Sequence, residues 1–212
     1  MEITWYGHNC FRLTERGNAT VVTDPYDHTE AGYKQLNLKA DIVAVSSNTP
    51  DCNNVKAVKG TSWEITGPGE YEIGDVFLTA IASGKKKAEN GFNLIFVFDY
   101  SGIKIAHLGK LNAIPKRNEL DALGTIDVLL VPVGSGGALT AAKAAETISL
   151  IEPGIVIPMH FQTDDSQADL KPLDQFLKEM GLGKSLEAEE SLKITKSKVP
   201  ENTQVILLNH KS

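Results

Sequence analysis

A chain of 212 residues that is 42% hydrophobic and 23% charged can bury a substantial core and is neither disordered nor fibrous. Its formal net charge of -6 argues against general attraction to nucleic-acid backbone, and no apolar run nears the roughly 18 residues needed to span a bilayer. The two cysteines, Cys10 and Cys52, make no disulfide framework and read as free thiols. With no basic-then-apolar segment in Met1-Glu2-Ile3-Thr4-Trp5, the expectation is a cytoplasmic protein of one domain, residues 1–212.

In chain order, Ile3 to Tyr6, Cys10 to Thr14 and Ala19 to Thr23 are rich in β-branched and aromatic residues and are separated by turn sequences. That pattern predicts an antiparallel meander. Pro25 stops the third ladder and leaves Asp24 at its end. After an irregular polar segment from Asp27 to Lys39, an apolar strand over Ile42 to Val45 runs into the polar turn Ser46-Ser-Asn-Thr-Pro-Asp-Cys-Asn53. Such a junction is where enzymes place ligands, because the strand fixes the backbone and the loop supplies side chains. A short helix is expected around Asn54 to Val58.

Ser62 to Thr66, Glu70 to Ile73, Val76 to Ala82, Leu94 to Tyr100 and Ile103 to His107 continue the strand pattern, with Ser101-Gly102 as a two-residue hairpin signal. From Pro115 helices alternate with strands: a helix over Pro115 to Leu123, a buried strand over Asp127 to Val133, and a helix over Thr140 to Ile151. A buried strand from Ile155 to Met159 ends at His160. Leu170, Leu173, Leu177 and Met180 mark a last amphipathic helix, and Gln204 to Leu208 a final strand. Periodicity alone leads to a layered α/β domain, with a doubly wound sheet as the competitor.

The turn Ser46-Ser-Asn-Thr-Pro-Asp-Cys-Asn53 resembles, without a gap, the Ser/Thr-His-x-His-Pro-Asp-His-Asn turn of the metallo-β-lactamase superfamily, especially its L-ascorbate-6-phosphate lactonase-like branch. Trp5-Tyr-Gly-His8-Asn-Cys-Phe-Arg12, Thr23-Asp24-Pro25, Gly67-Pro-Gly-Glu-Tyr-Glu72, Gly102 to Gly109 and Val156-Ile-Pro-Met-His160-Phe161 are similar to family segments too. The resemblance implies an α/β, four-layer αββα sandwich. It also implies a dinuclear zinc hydrolase site, for which this chain lacks most ligands. Ser47, Thr49 and Cys52 stand where the turn histidines belong, and the later loop, Ser83 to Ala88, has no histidine. Lys110 stands at the bridging aspartate and Ala113 at a further histidine. Asp51 and His160 keep ligand places, Asp24 and His8 keep supporting ones, and His107 precedes the bridging position.

The expectation is therefore a non-catalytic relative with a degenerate metal site and no cofactor, serving a binding, regulatory or structural role. The alternative is a hydrolase of a small ester, lactone or phosphate-bearing metabolite with one zinc on Asp51, Cys52 and His160. An RNA-directed function ranks third, against the acidic charge. The partner expected is an unidentified small molecule or protein, not a membrane or nucleic acid, and a homo-oligomer is open. Without metal, Asp24 and Asp51 would be unpaired carboxylates in a partly buried cleft, which is costly, so Lys110 is expected within reach of one of them. Simpler readings stand beside these. His8 can be a turn residue, Cys52 a semi-buried thiol, His28 and His210 surface residues, and Lys85 to Lys87 a solvated loop. Gly134-Ser-Gly-Gly137 could offer amides to an anion.

Overall fold

The structure is a computed structural model that describes residues 1–84, 92–183 and 186–211. Lys85 to Lys87 lie outside the described residues. In chain order the first part forms β1 (Glu2–Trp5), β2 (Phe11–Thr14), β3 (Val21–Thr23), helix α1 (His28–Ala31), β4 (Leu38–Lys39), β5 (Ile42–Ala44), β6 (Val58–Lys59) and β7 (Trp63–Ile65). The first three strands make the antiparallel meander, with Trp5 opposite Phe11 and Phe11 opposite Thr23. Then β3 pairs in parallel with β5, and β5 with β7, so the sheet is mixed. Side chains alternate across a strand. Ile3, Trp5, Phe11, Leu13 and Val21 therefore enter the main core, while Val22 and Val43 belong to a second apolar cluster on the other face.

That outer face differs from expectation. The segment read as irregular and polar turns Tyr33, Leu36 and Leu38 inward against Val22 and Val43 and leaves Lys34, Gln35, Asn37 and Lys39 exposed. The helix expected at Asn54 to Val58 is a 3-10 turn, Val55–Ala57, leading into β6, which pairs with β4. Among the described residues this side is thus covered mainly by loop, with one four-residue helix.

The rest of the chain adds β8 (Gly69–Ile73), β9 (Val76–Ser83), β10 (Asn93–Tyr100), β11 (Ile103–His107), helix α2 (Arg117–Leu123), β12 (Val128–Pro132), helix α3 (Ala141–Ile151), β13 (Ile155–Met159) and helix α4 (Leu173–Glu179). The short strands β14 (Ala188–Glu189), β15 (Leu192–Lys193), β16 (Gln204–Val205) and β17 (Leu207–Leu208) follow. A second sheet has the order β16-β13-β12-β11-β10-β9-β8, antiparallel from β8 to β11 and parallel from β11 to β16. Every residue of β12 and β13 is buried, as strands covered on both faces must be. Ser101 and Gly102 take positive φ in the β10–β11 hairpin, as a tight two-residue turn requires.

Helices α2 and α4 start later than the apolar pattern suggested, with Lys116 and Pro172 as their N-caps. The final strand divides: β16 joins the second sheet and β17 pairs with β14. Unexpectedly, β15 returns to pair with β1 and completes the first sheet, β15-β1-β2-β3-β5-β7. His210 is no free surface residue, because its ring packs edge-on against Trp5 and Tyr33. Two mixed sheets face each other across Trp5, Phe11, Phe96, Phe98 and Tyr100, giving the metallo-β-lactamase fold. No helix among the described residues is long and apolar enough to cross a membrane.

Candidate functional site

Asp24 follows β3, the turn from Ser46 follows β5, Leu108 to Lys110 follow β11, and His160 follows β13. All four segments leave the carboxyl ends of their strands at one rim, where open α/β sheets hold ligands. The β1–β2 turn, carrying His8 and Asn9, closes the same rim, with the His160 amide donating to the His8 carbonyl at 3.2 Å. His8, Asp24 and His160 all have left-handed backbone, at φ of 50°, 40° and 53°. Non-glycine residues held there carry local strain, and such strain gathers at functional sites.

Asp51 is the electrostatic centre of the cleft. Its Oδ2 lies 2.7 Å from the Lys110 ammonium and 2.9 Å from His8 Nε2. A carboxylate only accepts, so His8 carries its proton on Nε2 in this contact. Burial pushes Asp51 upward, but the donors His8 and Lys110 outweigh it and hold the carboxyl well below the usual range. For Lys110, burial pulls downward, and the hydrogen bond to Asp51 with the charges of Asp51 and Asp24 overcomes it and raises the pKa. Lys110 and Asp51 keep 20% and 21% of their side-chain surface exposed, so the pair is neither dry nor fully solvated.

Asp24 is fully buried. Its two oxygens accept from the Ser46 amide and hydroxyl, each at 2.6 Å. Burial nevertheless pushes it up to about 7 against those donors. His107, 3.9 Å away, donates from Nε2 to the Asn9 carbonyl at 2.9 Å, while its Nδ1 accepts from the Gly109 amide at 3.1 Å. Burial pulls its pKa down to about 4. His107 is thus a neutral positioning residue that shapes the turn presenting Lys110.

Gly109, at φ 59°, permits that turn to pass close to the first sheet, since a Cβ there would lie 2.5 Å from the Ser46 side chain. Asn93 completes the fixing of Lys110: its side chain accepts from the Lys110 amide at 2.7 Å and donates to the Leu108 carbonyl at 2.9 Å. Neither Asn93 nor Asn9 was identified from the sequence. Asn9 is completely buried; its carbonyl takes Thr23 and His107, and its side chain meets His160 Nδ1 at 3.1 Å and Cys52 Sγ at 3.8 Å. The available signal was a polar Gly-His-Asn turn between two apolar strands.

Zinc tests the donor set directly. His8, Asp51 and Cys52 place one ligand atom each within 4.8 Å of the others, whereas His160 is not part of that group. The structure thus pairs Asp51 and Cys52 with His8 in place of His160. His160 Nε2 and His8 Nδ1 are buried without hydrogen-bond partners, and the two rings lie 4.4 Å apart, tilted by 57°. Nitrogen, oxygen and sulfur are suitable zinc donors. The position that a cation would take on Asp51, however, already holds the Lys110 ammonium, and burial pushes the Cys52 thiol far above the range in which it ionises. A two-zinc centre does not fit these residues. The Gly134 to Gly137 segment does not present a free anion nest either: Gly134 and Ser135 donate to the carbonyls of His160 and Leu139.

Beside the turn lies a cavity of about 550 Å³ lined by Ser47, Asn48, Asn53, Glu64, Phe92 and Leu94, among others. Among the described residues its polar groups are neutral except for Glu64, which suits a hydroxyl- or amine-bearing molecule better than an anion.

Two facing mixed sheets with a polar cluster at their carboxyl rim define a metallo-β-lactamase type of α/β sandwich. Residues 2–160 match the β-lactamase superfamily domain. A protein of Thermotoga maritima, provisionally described as a Zn-dependent hydrolase of the metallo-β-lactamase superfamily, is 33% identical, with 98% of this chain and 97% of that one covered and a TM-score of 0.81. The UPF0173 protein of Pyrococcus furiosus is 29% identical over 206 residues, covering 85% of this chain and 90% of its own length. A UPF0173 metal-dependent hydrolase of Thermoplasma acidophilum is 28% identical over 195 residues, covering 78% and 85%. The chain belongs to the metallo-β-lactamase superfamily.

Proposed function

We propose that this chain, acting as one metallo-β-lactamase-like domain over residues 1–212, is a lactonase-like family member that binds a small polar molecule in the cleft without two-zinc hydrolysis. The observation that carries this reading is the 2.7 Å contact between Lys110 and Asp51, in which a side-chain cation stands on the carboxylate that would otherwise face metal. A fixed ammonium supplies positive charge but cannot lower the pKa of a bound water as zinc does. The cleft therefore keeps recognition and charge balance. Asp51, Lys110, His8 and His160 form it, Asp24 and His107 support it, and the cavity beside Ser47, Asn53 and Glu64 receives the ligand.

A second reading has its own support. The relatives carry the name metal-dependent hydrolase, and the convergence of His8, Asp51 and Cys52 with two unpartnered imidazole nitrogens suits one metal. In that case His8, Asp51 and Cys52 would hold zinc, which would supply a Lewis acid for a small ester, lactone or phosphate-bearing substrate. Lys110 would have to leave Asp51 first. Elemental analysis of protein purified without chelator separates the two. The first reading expects clearly sub-stoichiometric zinc and a thermal midpoint that chelator does not move. About one zinc per chain, abolished in Asp51→Ala and accompanied by hydrolytic turnover, would establish the second instead.

A further inference from the structure

The outer face of the first sheet carries another concave feature, away from the cleft. A cavity of about 460 Å³ is lined by Arg12, Lys34, Lys39 and Lys211 together with Tyr6 and Asn37, and no Asp or Glu among the described residues contributes to its wall. In a chain of net charge -6 that is a local reversal of sign. Among the described residues none of these four cations has a carboxylate partner, and Arg12 Nε is buried with no hydrogen bond. A guanidinium cannot shed its proton to escape the cost, so the unmet donor favours an incoming anion.

The neighbouring hollow on the other side of Arg12 shows the contrast. Arg16, Lys193 and Lys198 line it, but so do Glu2 and Glu15, which face Lys193 and the N-terminal ammonium. Carboxylates offset part of its positive charge, whereas the wall of the first cavity holds none among the described residues.

The backbone carrying the unpaired cations is tied down at each point. The Lys211 amide donates to the Trp5 carbonyl at 2.8 Å, and the Tyr26 hydroxyl donates to the Lys34 carbonyl at 3.2 Å. Lys39 sits opposite Lys59 in the β4–β6 pair, and the Lys59 ammonium donates to Asn37 Oδ1 at 3.2 Å, turning the Asn37 amide nitrogen free as a further donor. With the backbone already fixed, only the exposed lysine stems lose freedom when an anion arrives.

We propose that this cavity binds a small polyanion bearing phosphoryl groups. Four cations exceed what a single carboxylate can balance, whereas a chain of two or three phosphoryl groups presents several charged oxygens to forked and point donors at once. The exposed part of Tyr6 gives an organic substituent a ring to rest on. This site is independent of the cleft and stands under either reading of it.

The test is calorimetric titration of the whole protein with inorganic pyrophosphate and tripolyphosphate. Saturable binding is expected, weakening as salt rises from about 50 to about 200 mM. Lys34→Gln/Lys211→Gln changes only exposed side chains and should weaken binding by about tenfold or more. Arg12→Gln should weaken it further, while Lys143→Gln on the distant surface of α3 should leave it unchanged. No binding up to about 10 mM, an undiminished affinity in the double variant, or loss of binding only in Lys110→Ala would overturn the proposal, the last by moving the anion to the cleft. Binding of an RNA oligomer that pyrophosphate does not displace would overturn it as well.

Discussion

Two aspartates at the same rim are held in opposite states. Asp51, a fifth exposed and touched by Lys110 and His8, is kept ionised, whereas Asp24, fully buried beside a neutral His107, is pushed up to about 7. Asp24 has two short hydrogen bonds from Ser46 and still loses to burial, because two neutral donors do not replace a full positive charge. Proximity to a cation, more than hydrogen-bond count, decides which carboxylate of this cleft carries charge.

The largest expected effect follows from that difference. Asp51→Asn removes the charge that both Lys110 and His8 use and should destabilise the fold by about 3 kcal/mol. Asp24→Asn keeps the shape of a group that is half protonated at neutral pH and should cost under about 1.5 kcal/mol. Urea unfolding of the two variants side by side checks this, and equal losses would erase the distinction. Lys110→Ala comes next, at about 2 kcal/mol, between the cost of a surface pair and of a buried one, because its ammonium is a fifth exposed. A neutral Lys110→Ala would show that water already screens the pair.

The smallest effect is a slope. Asp24 is raised, so the folded state holds its proton while the unfolded chain has lost it; that contribution is full below about pH 4 and fades as pH rises toward about 7. His107 is lowered to about 4, and burial with the nearby His8 and Lys110 lowers His160 as well. Both histidines contribute stability that is full above the ordinary 6.5 and fades as pH falls. Between about pH 4 and 6.5 the protons that the unfolded chain binds at His107 and His160 oppose the one that the folded chain binds at Asp24, so stability should rise with pH. Asp24→Asn should make the rise steeper by about one proton. Denaturant midpoints measured across this range would show it, and an unchanged slope would mean that Asp24 ionises normally. Below about pH 4 the depressed Asp51 adds a further loss on acidification.

Alternating apolar residues in β1, β2 and β9 to β11, and the continuous apolar runs of β12 and β13, were legible because strand burial is a property of local periodicity. The candidate residues Asp51, Lys110, His8, Asp24, His107 and His160 were also picked out from the chain, through the family frame that they partly keep. Two-residue strands such as β14 and β15 were not, since they are too short to show a period.

What the sequence determined by itself is which residues are apolar and where strands stop; that Ser47, Thr49, Cys52 and Lys110 stand at ligand positions is what the family resemblance implies. Tertiary structure alone decided the partners. His8 rather than His160 stands beside Asp51 and Cys52, Asn9 joins His160 across 151 residues, and Asn93 fixes a lysine 17 residues away. The same holds for Arg12, Lys34, Lys39 and Lys211, brought to one cavity from three distant parts of the chain. Periodicity acts over a few residues, whereas these contacts depend on strand register and on the left-handed turns at His8, Asp24 and His160, where the direction of a side chain is set by packing around it.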